Sequence, residues 1–148
     1  MNTRIAVARA LFVGVVCAAC DRTTVRRTFW GDDSPASVIE YDGGVLHGAF
    51  VLHHPGGQLR ERARYEHGLR HGAYTAWYPD GTRLVTGEYA HGLRVGPWQE
   101  WAEDGLPRAA GSYRAGDKDG VWIVYDETGR PAREETWEAG TRVQWRAL

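Results

Sequence analysis

Short runs of apolar and aromatic residues alternate with Gly-rich polar segments through most of the chain. Runs such as GVWIVY (120–125) and GPWQEW (96–101) are rich in residues that favour β-strands. The run that forms the first strand of each hairpin ends at a turn sequence such as PDG (79–81) or ETG (127–129), in which glycine supplies a positive φ at low steric cost. The pattern therefore predicts a series of β-hairpins, with return strands such as TRLVTGEY (82–89). A second Gly-rich connection, YAHGLRVG (89–96), leads into the next hairpin.

A 24-residue repeat sets the spacing of these hairpins. The leading aromatic residues are separated by 24 residues each time: Tyr41, Tyr65, Tyr89, Tyr113 and Trp137. Three glycine positions recur at the same interval, namely Gly44, Gly68, Gly92, Gly116 and Gly140; Gly48, Gly72, Gly96 and Gly120; and Gly57, Gly81, Gly105 and Gly129. A fixed period of this length is typical of repeat architectures.

Two further aromatic positions keep the same frame. They hold Phe50, Tyr74, Trp98 and Trp122, and, three residues later, Trp77, Trp101 and Tyr125, with His53 as the exception. Because a single hairpin is marginal in water, we expect neighbouring hairpins to stack and bury the aromatic rows. Residues three apart cannot share a face under strict alternation, so either the strand carries a bulge or the second ring lies at its frayed end.

The order of aromatic residues and glycines within each 24-residue unit resembles the MORN repeat in its bacterial variant. Two segments carry the resemblance most clearly, YEHGLRHGAYTAWYPDG (65–81) and YAHGLRVGPWQEWAEDG (89–105). It covers residues 41–148 as four full units and a truncated fifth, and it implies an all-β fold: a single-layer, curved β-meander of stacked hairpins. Members of that family are mostly non-catalytic scaffolds for protein complexes, some were linked to membrane attachment, and many bacterial members carry a YwqK-type antitoxin-like label.

The N-terminus has the pattern of an export signal. Arg4 and Arg9 accompany the apolar segment ALFVGVVCAA (10–19), which ends in two small residues before Cys20. Ten helical residues span about half of a ~30 Å hydrocarbon core, so the segment is too short for a transmembrane helix. The ending resembles a bacterial lipobox, which implies lipidation of Cys20. Ordinary cleavage after Ala19 is the alternative, and it would leave a free thiol.

These features predict a three-part chain. Residues 1–19 form the signal peptide, residues 20–37 hold the anchor cysteine and a polar tether without periodicity, and residues 38–148 form the repeat domain. We expect an exported, membrane-anchored lipoprotein that faces the periplasm or the cell surface.

Composition excludes several functional classes. The net charge is -1, whereas phosphate binding needs a basic excess, so we expect no nucleic-acid partner. Cys17 and Cys20 are the only cysteines, so the mature domain forms no internal disulfide and no thiolate zinc site. No serine after the signal lies in a nucleophile elbow, and no pair of carboxylates stands out. We therefore expect no catalytic residues and no cofactor.

Two patterns suggest metal binding, and both have a simpler interpretation. Asp117, Asp119 and Asp126 match part of an EF-hand loop, but the first ligand position would be Ala115 and strands flank the segment. We interpret the first two as turn residues with solvated carboxylates. The histidines are His47, His53, His54, His67, His71 and His91. Because His47 and His71 share one repeat position and His67 and His91 another, imidazoles are expected to line up across hairpins; we interpret them as exposed turn residues and predict no metal site.

The best candidate for a binding surface lies on QLRERARY (58–65). Arg60, Arg62 and Arg64 alternate with other residues there, so their guanidiniums project from one face of a strand. Acidic lipid headgroups, anionic glycans or an acidic protein patch would suit them. Two functional hypotheses follow: a lipid-anchored scaffold for an unknown protein partner, and an antitoxin-like or immunity-type inhibitor of a co-encoded toxin.

Overall fold

The computed structural model describes residues 9–11 and 22–148, and every regular element among them is a strand of one antiparallel sheet. The strands are β1 (Arg9–Leu11), β2 (Thr23–Phe29), β3 (Pro35–Asp42), β4 (Val45–His53), β5 (Leu59–Glu66), β6 (Leu69–Arg70), β7 (Gly72–Trp77), β8 (Arg83–Ala90), β9 (Leu93–Trp101), β10 (Pro107–Arg114), β11 (Asp117–Tyr125), β12 (Pro131–Glu138) and β13 (Thr141–Ala147).

Strands pair with their neighbours in chain order along the whole sheet. The short β6 pairs only with β5, and β7 continues the path beside β5. The predicted all-β meander of hairpins is therefore confirmed. Within the described ranges, no helix has the length and apolar character needed to cross a membrane.

The predicted turns at the Asp-Gly and Thr-Gly sequences close one end of each hairpin. Between β7 and β8, the amide of Tyr78 donates to the carbonyl of Thr82 at 2.8 Å, and the amide of Gly81 donates to the carbonyl of Tyr78 at 3.0 Å. Asp80 Oδ1 accepts from the amide of Thr82 at 2.8 Å, which fixes the turn locally. The same four-residue loop recurs one and two repeats later.

The other connection is tighter than the sequence predicts. Between β8 and β9 only His91 and Gly92 lie outside the strands, and their φ values are +48° and +85°. Positive φ at both central residues is the geometry of a type I′ turn, which matches the twist of the flanking strands. The predicted Gly-rich connection through Gly96 is therefore shorter, since β9 already begins at Leu93.

Of the two explanations for aromatic residues three apart, the strand end accounts for Trp98 and Trp101, whereas the bulge of β9 lies before both rings. Gly96 has a φ of +62° inside β9, and the pairing jumps there, because Thr86 faces Gln99 while Glu88 faces Val95. This is a bulge. Trp101 is the last residue of β9, next to a second shift of register against β10, so its ring lies at the strand end.

Members of two of the three predicted aromatic rows form the core, whereas the row of Trp77, Trp101 and Tyr125 is half-buried. Trp98 and Tyr113 are almost fully buried, and Trp122 has no exposed surface. Each indole packs on a glycine of the preceding strand, since a Cβ at Gly87 would collide with the ring of Trp98 and one at Gly111 would collide with that of Trp122. The absence of a side chain at these two positions lets a single-layer sheet bury large rings.

The prediction of a polar tether over residues 20–37 is wrong for the described part of that segment, from Arg22 onward. Thr23–Phe29 is a strand that pairs with β3 along its length, and Ala36 and Ser37 are buried. The strand lacks the glycine and aromatic residue of later units, but the turn after it is the loop of the repeat, since the amide of Trp30 donates to the carbonyl of Ser34 at 2.8 Å. The edge of β3 supplies the backbone partners of the strand. The predicted export signal and Cys20 lie outside the described residues, apart from Arg9–Leu11, whose backbone pairs with β2.

Candidate functional site

The sheet has two chemically different faces, because successive side chains of a strand point to opposite sides. We call one the aromatic face, defined by Tyr65, Tyr74, Tyr89, Trp98, Tyr113, Trp122 and Trp137. On the exposed side of β5 lies the arginine strip, defined by Arg60, Arg62 and Arg64.

Ring contacts run without a break through the middle of the aromatic face, from Tyr74 to Trp122. Tyr89 meets Trp98 edge-on with ring centroids 5.2 Å apart, and Tyr113 meets Trp122 in the same way at 5.1 Å. Tyr74 stacks on Trp98 at 5.8 Å. Edge-to-face and offset arrangements at these distances are the favourable ones for aromatic pairs. The contacts cross from hairpin to hairpin, so they hold successive repeats together.

Cations lie over these rings at a repeat position that was not among the predicted ones. Arg70 lies 5.2 Å from the ring centre of Tyr74, Arg94 lies 4.1 Å from that of Tyr113, and Lys118 lies 4.0 Å from that of Trp122. The three cations are 24 residues apart, as is Arg142 after them, and this spacing was a signal available in the sequence. Cation–π pairs of this kind contribute about 0.5–2 kcal/mol each.

Hydrogen bonds and ion pairs complete the engagement of these cations. Arg94 Nη1 donates to the Tyr113 hydroxyl at 2.8 Å, and Arg70 Nη2 donates to Glu61 Oε1 at 2.7 Å. Burial raises the pKa of the Tyr113 hydroxyl above its ordinary value, so this group stays neutral and accepts the bond. The positive charges of the aromatic face are thus directed at its own rings and carboxylates.

The last full unit replaces the small residue of the aromatic face by a buried carboxylate. Glu135 stands at the repeat position of Gly111, accepts from Arg142 Nη1 at 2.9 Å and pairs with Arg133 Nε at 2.8 Å. Trp137 Nε1 donates to its other oxygen at 3.1 Å. Burial by itself would raise the pKa of Glu135, but the hydrogen bonds from Arg142 and Trp137 bring the pKa below its ordinary value.

The arginine strip has the opposite character. All three guanidiniums are exposed, as the alternation predicted, and among the described residues none has a carboxylate within ion-pairing distance. The cross-strand neighbours are small or neutral: Arg64 lies opposite Ala49, and Arg62 lies between Val51 and Thr75. Alternate residues of a strand are roughly 6.6 Å apart, so the strip presents evenly spaced, unpaired charges.

The calcium-loop candidate has a different explanation in the structure. Asp117 and Asp119 lie within β11, so their interpretation as turn residues is wrong. Asp119 Oδ2 pairs with Arg114 Nη2 at 2.8 Å, and Asp117 lies opposite Arg114 in the register of β10 and β11. Cross-strand charge pairing therefore accounts for Asp119, whereas the carboxylate of Asp117 lies beside Gly140 of the β12–β13 turn.

The histidines line up in pairs, each pair taking one member from each repeat position. The ring centroids of His47 and His67 are 5.3 Å apart, and those of His71 and His91 are 5.1 Å apart. His91 is exposed, as expected for a turn histidine, while His71 is only partly exposed at the break between β6 and β7. Glu66 lies beside the second pair, with Oε2 3.5 Å from His71 Nδ1.

Comparison with protein families gives one match. The family described as MORN repeat variant matches residues 118–139, which hold most of β11, the following turn and β12. The MORN repeat is a non-catalytic repeat that is generally associated with protein or membrane interaction. No curated protein matches the chain.

Proposed function

We propose that this chain is a non-catalytic interaction scaffold whose arginine strip binds an acidic patch on a partner protein. The MORN repeat match supports the scaffold role, since such repeats are associated with protein or membrane interaction. The open sheet supports it as well, because one rigid layer leaves a whole face available to a partner.

The observation that carries the proposal is the contrast between paired and unpaired arginines. Arg70 and Arg94 are held by rings and polar groups of the chain itself, whereas the three guanidiniums of the arginine strip have no such partner among the described residues. Exposed charges contribute little to folding. A guanidinium binds a carboxylate through two parallel hydrogen bonds, so a strand with three of them in a row fits an acidic surface.

We also propose that the protein is exported and anchored to a membrane through a lipid on Cys20. The sequence before Cys20 supports this, since it combines basic residues, an apolar segment and small residues ahead of the cysteine. Metabolic labelling with palmitate tests it, and we expect label in the wild type and none in Cys20→Ala. Unlabelled full-length protein in the cytoplasm contradicts the anchor and favours the antitoxin-like alternative.

The docking proposal is tested by site-specific cross-linking in the cells that make the protein. A photo-reactive phenylalanine analogue replaces Thr75, which lies beside Arg62 in the register of β5 and β7. The full chain is compared with a strip variant, in which Arg60, Arg62 and Arg64 are all changed to Gln. A control variant carries Gln at the equally exposed Arg22, Arg108 and Arg130.

We expect a protein cross-link through an acidic segment of the partner, retained in the control variant and lost in the strip variant. Equal cross-linking in the two variants contradicts the role of the arginine strip. Cross-links to phospholipid alone contradict a protein partner and assign the strip to a membrane surface.

A further inference from the structure

The neighbouring turns on one side of the sheet bring two imidazoles and a carboxylate together. Glu66 is the last residue of β5, His71 lies at the break between β6 and β7, and His91 opens the turn between β8 and β9. One ligand-type atom from each of these side chains lies within 4.8 Å of the other two. The three residues come from two consecutive repeats, so only the folded sheet assembles them.

The geometry between Glu66 and His71 is that of two ligands on one ion rather than of a hydrogen bond. Their Nδ1 and Oε2 atoms are 3.5 Å apart, and His71 Nδ1 is inaccessible to solvent and has no hydrogen-bond partner. Two ligands about 2.0–2.1 Å from a tetrahedral zinc ion lie roughly 3.4 Å from each other. A buried polar atom without a partner costs free energy, and an ion at this point would remove that cost.

The ligand set has the chemistry of a zinc site with an open position. Two neutral imidazoles and one carboxylate are ligands that divalent zinc accepts, and water fills the remaining place when a protein supplies three. Glu66 and His71 line a surface cavity of about 220 Å³, and His47, whose Nδ1 is also inaccessible and without a hydrogen-bond partner, lines it too. Arg64 lines the same cavity, so its positive charge opposes a cation there.

The repeat frame offers an internal comparison for this site. The equivalent residues one repeat earlier are Asp42, His47 and His67. Their imidazoles are also paired, with centroids 5.3 Å apart, but among the described residues these three do not form such a group, whereas Glu66, His71 and His91 do. The carboxylate of aspartate is one methylene shorter than that of glutamate, which places it further from the rings.

We propose that Glu66, His71 and His91 form a zinc-binding site that links two consecutive hairpins. The ion joins the end of β5 to the β8–β9 turn, so it binds the folded sheet and not the unfolded chain. Zinc therefore raises the melting temperature of the protein.

Calorimetry with Zn²⁺ on the full chain tests the proposal, with Cys17→Ser and Cys20→Ser removing the thiolates and with no histidine tag. The site variants are Glu66→Gln, His71→Asn and His91→Asn. Asn is a suitable replacement at His91 because it tolerates the positive φ of +48° found there. The matched control is His67→Asn, because His67 lies one repeat before His91, has a similar φ of +50° and does not line the cavity. Circular dichroism verifies that every variant is folded.

We expect one zinc ion per chain, a loss of affinity of at least about tenfold in each site variant, and unchanged affinity in the control. Cobalt supplies a second readout, since the visible absorption of a tetrahedral Co²⁺ complex should appear in the wild type and disappear in His91→Asn. Absence of saturable one-to-one binding overturns the proposal. An equal loss of affinity in the control variant overturns it too, because the ion would then not be held by this set.

Discussion

The aromatic face and the arginine strip use the same type of side chain in opposite ways. On the aromatic face, Arg70, Arg94 and Lys118 lie over rings in successive repeats. On the arginine strip, three guanidiniums project into solvent from a single strand, without ion-pair partners among the described residues. The number of cations therefore does not indicate their role. Cations paired within the chain stabilise the fold, whereas exposed cations without an ion-pair partner can bind another molecule.

The repeat frame teaches the same distinction. The cations of the aromatic face recur every 24 residues, as do the rings beneath them. The arginine strip does not recur, since the corresponding residues of the next unit are Leu84, Thr86 and Glu88. A residue that every unit needs for stacking is repeated, while a residue that a partner needs is required only where the partner binds. Departures from the frame are thus the better place to search for function.

The largest expected effect comes from emptying the aromatic face. Trp122→Ala removes a fully buried indole from between Tyr113 and Lys118, and we expect a loss of about 3–5 kcal/mol in the free energy of unfolding. Trp145→Ala on the edge strand β13 is the control, because that ring is 59% exposed and its removal should cost under about 0.5 kcal/mol. Similar losses in urea denaturation would show that the rings of this face do not form the core.

The turns that align the hairpins give the next largest effect. Ala115 and Gly116 form the turn between β10 and β11, and both have positive φ like His91 and Gly92. Gly116 has a φ of +98°, so Gly116→Val forces a β-branched residue into the left-handed region, and we expect a loss of about 1–3 kcal/mol. Gly31→Val serves as the comparison, since Gly31 has no positive φ and a Cβ added there would meet open space. Equal melting temperatures for the two variants would contradict the role assigned to the type I′ turns.

Much of this architecture could be predicted from the sequence, because the same turn-forming and aromatic residues recur at the same positions of each unit. Three features follow from residue types at fixed spacing: the Asp-Gly turns, the position of Trp101 at the end of a strand, and the burial of Trp122. The strand β2 could not be predicted in this way. Thr24 and Arg26 stand where later units have glycine and an aromatic residue, although the turn after the strand repeats the loop found between Tyr78 and Thr82. Pairing with β3 makes Thr23–Phe29 a strand.

The candidate sites were predictable to different degrees. Alternation alone placed Arg60, Arg62 and Arg64 on one exposed face. Spacing predicted that the histidines lie in register, but it did not predict how close their rings are. The contact of His71 with His91 depends on a two-residue turn, and the connection was predicted to be longer. The cations of the aromatic face form a 24-residue series in the sequence, but spacing alone does not show that each lies over a ring.

A direct comparison of the two kinds of arginine gives a smaller effect on stability. Arg94→Gln loses the contact with the Tyr113 ring and the hydrogen bond to its hydroxyl, so we expect a loss of about 1–2 kcal/mol. Arg62→Gln on the arginine strip should change the free energy of unfolding by less than about 0.5 kcal/mol. Denaturation of both variants with guanidinium chloride measures the difference. Equal losses in the free energy of unfolding would contradict the distinction between the two faces.

The smallest effect concerns the charge of Glu135, which tests whether carboxylates of the aromatic face are held as firmly as its cations. The pKa of Glu135 is lowered from an ordinary value of 4.5, with burial opposing the shift and the bonds from Arg142 and Trp137 outweighing it. A lowered pKa in the folded protein stabilises the fold above the unfolded value, and this stabilisation is lost as the pH falls through the folded value. We therefore expect the wild type to exceed Glu135→Gln by about 1 kcal/mol at neutral pH, and the difference to shrink below pH 4.5. Glu127→Gln, in an exposed turn, should show no such convergence in melting temperature. If the melting temperatures of Glu135→Gln and the wild type differ by the same amount down to acidic pH, the arginines do not hold the carboxylate of Glu135. The charge pairing that distinguishes the aromatic face from the arginine strip would then end before the last repeat.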